Sequence, residues 1–113
     1  MKYRIKYTGQ FKRDMRLCLR RGYDTGLLHA VITLLAETGR LPEEYRPHIL
    51  QGKRSAQWEC HIQPDWLLIW SQHDDELELL MLNIGTHSDL FKNLCAYRPV
   101  SWGLNAWGEG RLL

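Results

Sequence analysis

Four acid–base side chains come from four separate segments: His48, His61, Asp65 and His87. Each lies in an expected loop or at an expected strand end, so one end of a small sheet can collect them. Imidazole both takes and gives a proton near pH 7. Histidines beside the cations Lys53 and Arg54 suit RNA cleavage through the ribose 2′-hydroxyl. One group removes the hydroxyl proton, another protonates the leaving oxygen, and the cations hold charge on the phosphate. That chemistry requires no metal and no cofactor. Plainer readings stand beside it. A lone histidine is commonly a surface or structural group, Asp65 suits a turn, and Trp66 and Phe91 suit a core. A zinc site would draw on His48, Cys60, His61 and His87. Strand alternation puts Cys60 and His61 on opposite faces, which argues against it. No serine-hydrolase motif and no glycine-rich phosphate loop is present.

The elements that must position these groups are legible by period. Tyr3, Ile5 and Tyr7 alternate with Lys2, Arg4 and Lys6, as in a strand with one buried face. Thr8 is the expected N-cap of a helix whose stripe is Phe11, Met15 and Leu19, with Cys18 beside it. Gly22 is its expected terminator. Asp24 opens a second helix with the stripe Leu27, Leu28, Val31, Leu34 and Leu35, closed by Gly39. His29 falls off that stripe and reads as a surface residue. Residues 41–55 contain Pro42, Pro47 and Gly52 without a period and read as one long loop. Gln57 to Ile62 alternates, Pro64-Asp65 turns, and Trp66 to Trp70 is apolar throughout, as in a central strand. His73 to Glu76 is the next turn, Leu77 to Ile84 the last strand, and Ser88 to Leu94 a short helix. The expected fold is α+β in two layers: a helix hairpin on a small antiparallel sheet, in the order β-α-α-β-β-β with a short C-terminal helix.

With 113 residues, 44% hydrophobic and 25% charged, the chain suits one core. We place the domain at 1–94 and a tail without periodicity at 95–113. The start alternates charge and apolar residue and so lacks the apolar run of a signal peptide, and no run is long enough to span a bilayer. A cytoplasmic protein is expected. Cys18, Cys60 and Cys95 are an odd set without a C-x-x-C pair, which favours reduced thiols. The net charge is +2, yet residues 1–21 hold eight basic side chains against Asp14 alone. Lys12, Arg16 and Arg20 share a helix stripe with Arg13 beside it, a surface for a polyanion or an acidic partner, or simply a solvated face.

Three motifs in order carry a family resemblance: H-I-L-Q-G at His48–Gly52, E-C-H-I-Q-P-D-W-L-L-I at Glu59–Ile69, and G-T-H-S-D-L-F at Gly85–Phe91. Together with the opening Y-T-G-Q-F-K-R-D, they resemble the YafQ branch of the RelE/ParE toxin superfamily over roughly Met1 to Lys92. The resemblance implies a RelE-like fold and a toxin of a type II toxin–antitoxin pair that cuts mRNA in the ribosomal A site. It implies catalysis by His48, His61, Asp65 and His87, and substrate contacts from Trp66 and Phe91; Lys53, Arg54 and Asn83 are further expected substrate contacts of this chain's own. Trp66 and Phe91 would position or stack on nucleotide. The implied products are a 2′,3′-cyclic or 3′ phosphate and a 5′-hydroxyl end. The implied partners are a cognate antitoxin protein, the 70S ribosome and mRNA, with operator DNA met only through the antitoxin complex and no membrane. Lys12, Arg13, Arg16 and Arg20 would meet the antitoxin or ribosomal RNA.

Two positions depart from the family pattern. Asn83 stands where an arginine usually precedes the G-T-H glycine by two, and Trp58 stands where arginine often precedes E-C-H-I. Both departures remove a cation from the expected site. Lys53 or Arg54 is the expected replacement. The competing reading is a non-catalytic toxin of the ParE kind that inhibits gyrase, or a catalytically weakened antitoxin binder.

Overall fold

The computed structural model describes residues 2–54 and 56–91. The tail, Cys95 and the last residues of the expected C-terminal helix lie outside them, as does the side chain of Lys53. Among the described residues, five strands and three helices follow in order: β1 (Arg4–Tyr7), α1 (Gly9–Arg20), α2 (Thr25–Thr38), β2 (His48–Ile49), β3 (Trp58–Gln63), β4 (Trp66–His73), β5 (Glu78–Gly85) and α3 (His87–Phe91). The sheet order is β1-β5-β4-β3-β2. β2 to β5 pair antiparallel, as short connections require, but β1 lies parallel to β5 in the register Arg4↔Glu78 to Tyr7↔Met81. The expected antiparallel sheet is corrected at this one strand. Two helices, and no turn, join β1 to the rest, so nothing local fixes its direction. Across this pair Lys6 Nζ lies 3.1 Å from a Glu78 carboxylate oxygen.

The helix boundaries follow their caps. Thr8 Oγ1 accepts the Phe11 amide and donates to the Met81 and Leu82 carbonyls, so the corner that starts α1 is tied to β5. Asp24 accepts the Gly26 amide at the start of α2. Gly39 closes α2 at φ 74°, and an added Cβ there would lie 2.6 Å from the Tyr3 ring. A left-handed backbone and a packed ring both demand glycine.

Both helices cover one sheet face. Phe11, Cys18, Leu28, Val31 and Leu35 meet Cys60, Trp66, Leu68, Trp70, Leu79, Met81 and Ile84 there. Burying each aliphatic side chain of this set contributes about 1.5–3 kcal/mol before entropy is set against it. Leu67 and Ile69 point to the opposite face, yet both are fully buried. The stretch 41–55 was expected to be plain loop, but its described residues hold β2, a 3-10 turn at Gly52–Arg54 and a buried Leu50. It folds back far enough for Arg54 to reach Asn83 on β5, two strands beyond β3.

β5 carries an irregularity that decides which side chains face the site. Ile69 pairs with Asn83, but the next residue, Trp70, pairs with Met81, so Leu82 is an extra residue. Leu79 and Met81 face the helices. Without the bulge Asn83 would follow them into the core. With it, Ile84 takes the core position and Asn83 turns to the opposite face.

Candidate active site

The face of the sheet away from the helices carries two cross-strand rows. His48, Glu59, Ile69 and Asn83 are paired in register along one; His61, Leu67 and Gly85 lie along the next. β2 and β3 thus put His48 and His61 on one face, and α3 delivers His87 from beyond Gly85. The rings form a line: His48 to His61 is 6.3 Å, His61 to His87 is 6.0 Å, and His87 to Phe91 is 6.3 Å between centroids. Three of the expected catalytic residues are therefore gathered with Phe91 beside them, and Asp65 completes the set through His87.

The three imidazoles sit in different environments. His48 Nδ1 faces the Arg46 carbonyl at 2.9 Å and Nε2 faces a Glu59 carboxylate oxygen at 3.0 Å. Both ring nitrogens meet acceptors, so both bonds form only when the ring is the doubly protonated cation. The Glu59 carboxylate raises the His48 pKa from its ordinary value, against the opposing pull of burial. Arg46 assists by adopting a left-handed conformation, φ 50°, behind the 3-10 turn Glu43–Tyr45. His61 has the opposite bias. Burial holds its pKa below the ordinary value, Glu59 pulls the other way, and the neighbouring His87 and His48 add repulsion. Its Nδ1 lies 3.3 Å from the Pro64 carbonyl, which places the proton there and makes Nε2 the basic nitrogen. His87 Nδ1 lies 2.6 Å from Asp65 Oδ1, and the same oxygen accepts the His87 amide at 3.0 Å. A carboxylate so placed orients the ring and fixes which nitrogen faces it.

Glu59 was not among the expected site residues. It is 1% exposed, and its second oxygen makes no hydrogen bond within the described residues. A carboxylate so buried is tolerated beside a cation, which His48 supplies. The available signal was a charged residue inside an apolar strand, two positions from His61 on the same face. Asp14 and Asp89 were missed as well. Asp14 reaches from α1 to the Ile84 amide at 3.1 Å and to Asn83 Nδ2 at 3.3 Å, at the part of the β5 edge that β1 leaves uncovered. Asp89 accepts the Thr86 amide and takes both terminal nitrogens of Arg21, at 2.6 and 3.2 Å, which moors α3 to the end of α1. Those bonds, outweighing burial, hold the Asp89 carboxyl below its ordinary pKa. An added Cβ on Gly85 would come within 2.9 Å of Asp89 Cβ, so the G-T-H glycine is what lets α3 turn back so tightly.

Trp66 does not join the site, contrary to expectation. It is 1% exposed, its ring stacks on Tyr23 at 4.7 Å, and its Nε1 donates to Cys18 Sγ at 3.3 Å. Trp66 shares the odd-even phase of Leu68 and Trp70 on β4, which places its ring on the helix-covered face. No face of the ring remains for a nucleotide. Cys60 is likewise in the core, and burial raises its thiol pKa far above the ordinary value. Among the described residues no group of three or more His, Cys, Asp or Glu is gathered for a metal. Lys12, Arg13, Arg16 and Arg20 are all exposed on α1, and none bonds to the histidine line. His29 is exposed, as expected. Among the described residues no helix is long and apolar enough to cross a membrane.

The family model for the bacterial toxin of type II toxin–antitoxin systems, YafQ, matches residues 3–92. The chain belongs to the YafQ family. It is 38% identical over 88 residues to the mRNA interferase toxin YafQ of Escherichia coli K12, covering 77% of this chain and 94% of that one. The E. coli YafQ solved in its DinJ–YafQ complex superposes with a TM-score of 0.72 at 36% identity, over 79% of this chain and 98% of that one. A metal-bound toxin from Helicobacter pylori gives a TM-score of 0.72 at 33% identity, over 80% and 100% of the two chains. The mixed α+β fold with a RelE-like layout is therefore that of solved YafQ structures, and the tail lies outside the match.

Proposed function

We propose that this YafQ-family toxin is a metal-independent endoribonuclease that cuts mRNA on the 70S ribosome by 2′-hydroxyl attack. The observation that carries this is the line His48–His61–His87, with rings 6.0 to 6.3 Å apart and a different hydrogen-bond partner behind each. Such spacing brackets one phosphoryl group with hydrogen bonds of ordinary length. His61, held neutral by burial, takes the 2′-hydroxyl proton on Nε2. The 2′-oxygen attacks phosphorus, and the bond to the 5′-oxygen breaks. His87, backed by the Asp65 carboxylate, protonates that oxygen. The products are a 2′,3′-cyclic phosphate, which opens to a 3′ phosphate, and a 5′-hydroxyl end. His48 holds a positive charge beside the phosphate. Lys53, Arg54 and Asn83 belong to the phosphate side of the site, and Phe91 offers a ring for a base to stack on.

The exposed basic side of α1, Lys12, Arg13, Arg16 and Arg20, meets either ribosomal RNA or the acidic groups of a cognate antitoxin. E. coli YafQ, solved together with DinJ, supports an antitoxin partner. Operator DNA is contacted only through that complex, and the toxin acts in the cytoplasm.

The test is primer extension on mRNA after induction, comparing the parent with His87→Ala. Site-specific 5′-hydroxyl ends that persist in chelator and vanish in the variant, with antitoxin binding kept, support the reading. DNA breaks without mRNA ends would place the chain with gyrase inhibitors instead.

A further inference from the structure

We propose that Arg54, carried on the loop after β2, is the transition-state cation of this site and that Asn83 and Asp14 are the positioning residues that aim it. The proposal rests on the endoribonuclease reading above. Arg54 donates from one terminal nitrogen to Gln57 Oε1 and from the other to Asn83 Oδ1, each at 2.8 Å. Two anchored nitrogens fix a planar guanidinium in orientation. These two partners are amide oxygens, which direct the group by geometry. Asn83 is itself held at both ends. Its oxygen takes Arg54, and its Nδ2 donates to Asp14 Oδ2 at 3.3 Å. The amide therefore has one satisfactory orientation.

The location supports the role. Asn83 closes the row His48–Glu59–Ile69–Asn83 and lies two residues from Gly85 in the row of His61. Strands in a sheet are spaced about 4.8 Å apart. The Arg54 guanidinium and the His48 cation therefore stand at opposite ends of one row, with His61 and His87 along its flank. Two separated cations on either side of a phosphate are what a doubly charged phosphorane requires. The cation missing from position 83 has not been lost. A neutral amide at that position receives an arginine delivered from another segment.

The experiment compares single-turnover cleavage of ribosome-bound mRNA by the parent, Arg54→Ala, Asn83→Ala and the double variant Arg54→Ala/Asn83→Arg, with thermal unfolding of each. Arg54→Ala is expected to lower the rate about 10²–10³-fold. Asn83→Ala is expected to lower kcat about tenfold with KM little changed, because the arginine remains but swings. The double variant, which returns a cation to β5, is expected to recover at least about tenfold over Arg54→Ala alone. A cleaving parent with an equally active Arg54→Ala overturns the inference and leaves the endoribonuclease reading standing. A loss in Arg54→Ala that follows its unfolding temperature, with no rescue in the double variant, overturns it too. A parent that cleaves no RNA overturns both.

Discussion

His87 and Asp65 are joined twice through one oxygen, by the ring Nδ1 at 2.6 Å and by the backbone amide at 3.0 Å. The turn between β3 and β4 therefore sets both the start of α3 and the tautomer of its first side chain. Asp65→Asn keeps the shape but loses the charge. We expect it to slow cleavage at least about tenfold, and His87→Ala by about 10²–10⁴-fold, with antitoxin binding unchanged in both. Quenched-flow cleavage beside a pull-down with antitoxin checks the pair.

Opposed biases at His48 and His61 predict a bell-shaped rate. His48 faces Glu59, the Arg46 carbonyl and His61; His61 faces Glu59, the Pro64 carbonyl, His48 and His87. Activity is lost on the acid side as His61 gains a proton, below the ordinary histidine value, since its pKa is lowered. It is lost on the basic side as His48 loses its proton, above the ordinary value, since its pKa is raised. Stability follows the same signs. The His48 contribution is complete below the ordinary value and fades as pH rises through the raised one; that of His61 fades as pH falls through the lowered one. Glu59→Gln should move the basic limb to lower pH, read from single-turnover pH profiles.

Trp66 should act on stability and not on substrate. Trp66→Ala removes a fully buried indole and is expected to cost about 3–5 kcal/mol in urea unfolding. Trp66→Phe keeps most of the ring against Tyr23 but loses the bond to Cys18, and its KM for ribosome-bound mRNA should match the parent's. A raised KM in a stably folded Trp66→Phe would return Trp66 to the substrate.

Arg21 links the end of α1 to α3 through Asp89. Asp89→Ala removes this mooring and the bond to the Thr86 amide, and should cost about 1 kcal/mol of stability. Its larger effect should be on cleavage, about tenfold or more, because His87 rides on α3. Arg21→Ala should show a weaker form of the same pattern, since that pair is partly exposed. Unfolding and cleavage of both variants test this.

How much of this could be read from residues alone depends on range. Caps at Thr8, Asp24 and Gly39, the alternation that put His61 opposite Cys60, and the apolar run of β4 are local patterns, and each predicted its element. That one sheet end can collect the three histidines followed from their places in loops and at strand ends, and their roles from motif resemblance; the register of β2 on β3 was not legible, because it depends on a two-residue strand inside a stretch rich in proline. The parallel pairing of β1 is set 74 residues away from it in sequence, and no turn announces it. Trp66 misled because a tryptophan beside a turn aspartate reads alike as site or as core; its shared phase with Leu68 and Trp70 along β4 decides. The links of Asp14 to Asn83 and of Arg21 to Asp89 span 69 and 68 residues, beyond any spacing rule.

Leu82 makes the odd-even phase of β5 switch halfway along. Were β5 to pair without that bulge and with Leu82 kept in the ladder, the Asn83 amide would turn inward among hydrocarbon and Ile84 would be pushed out where RNA is expected. The toxin would then be disarmed by a frame slip in space, with every histidine still present in its chain.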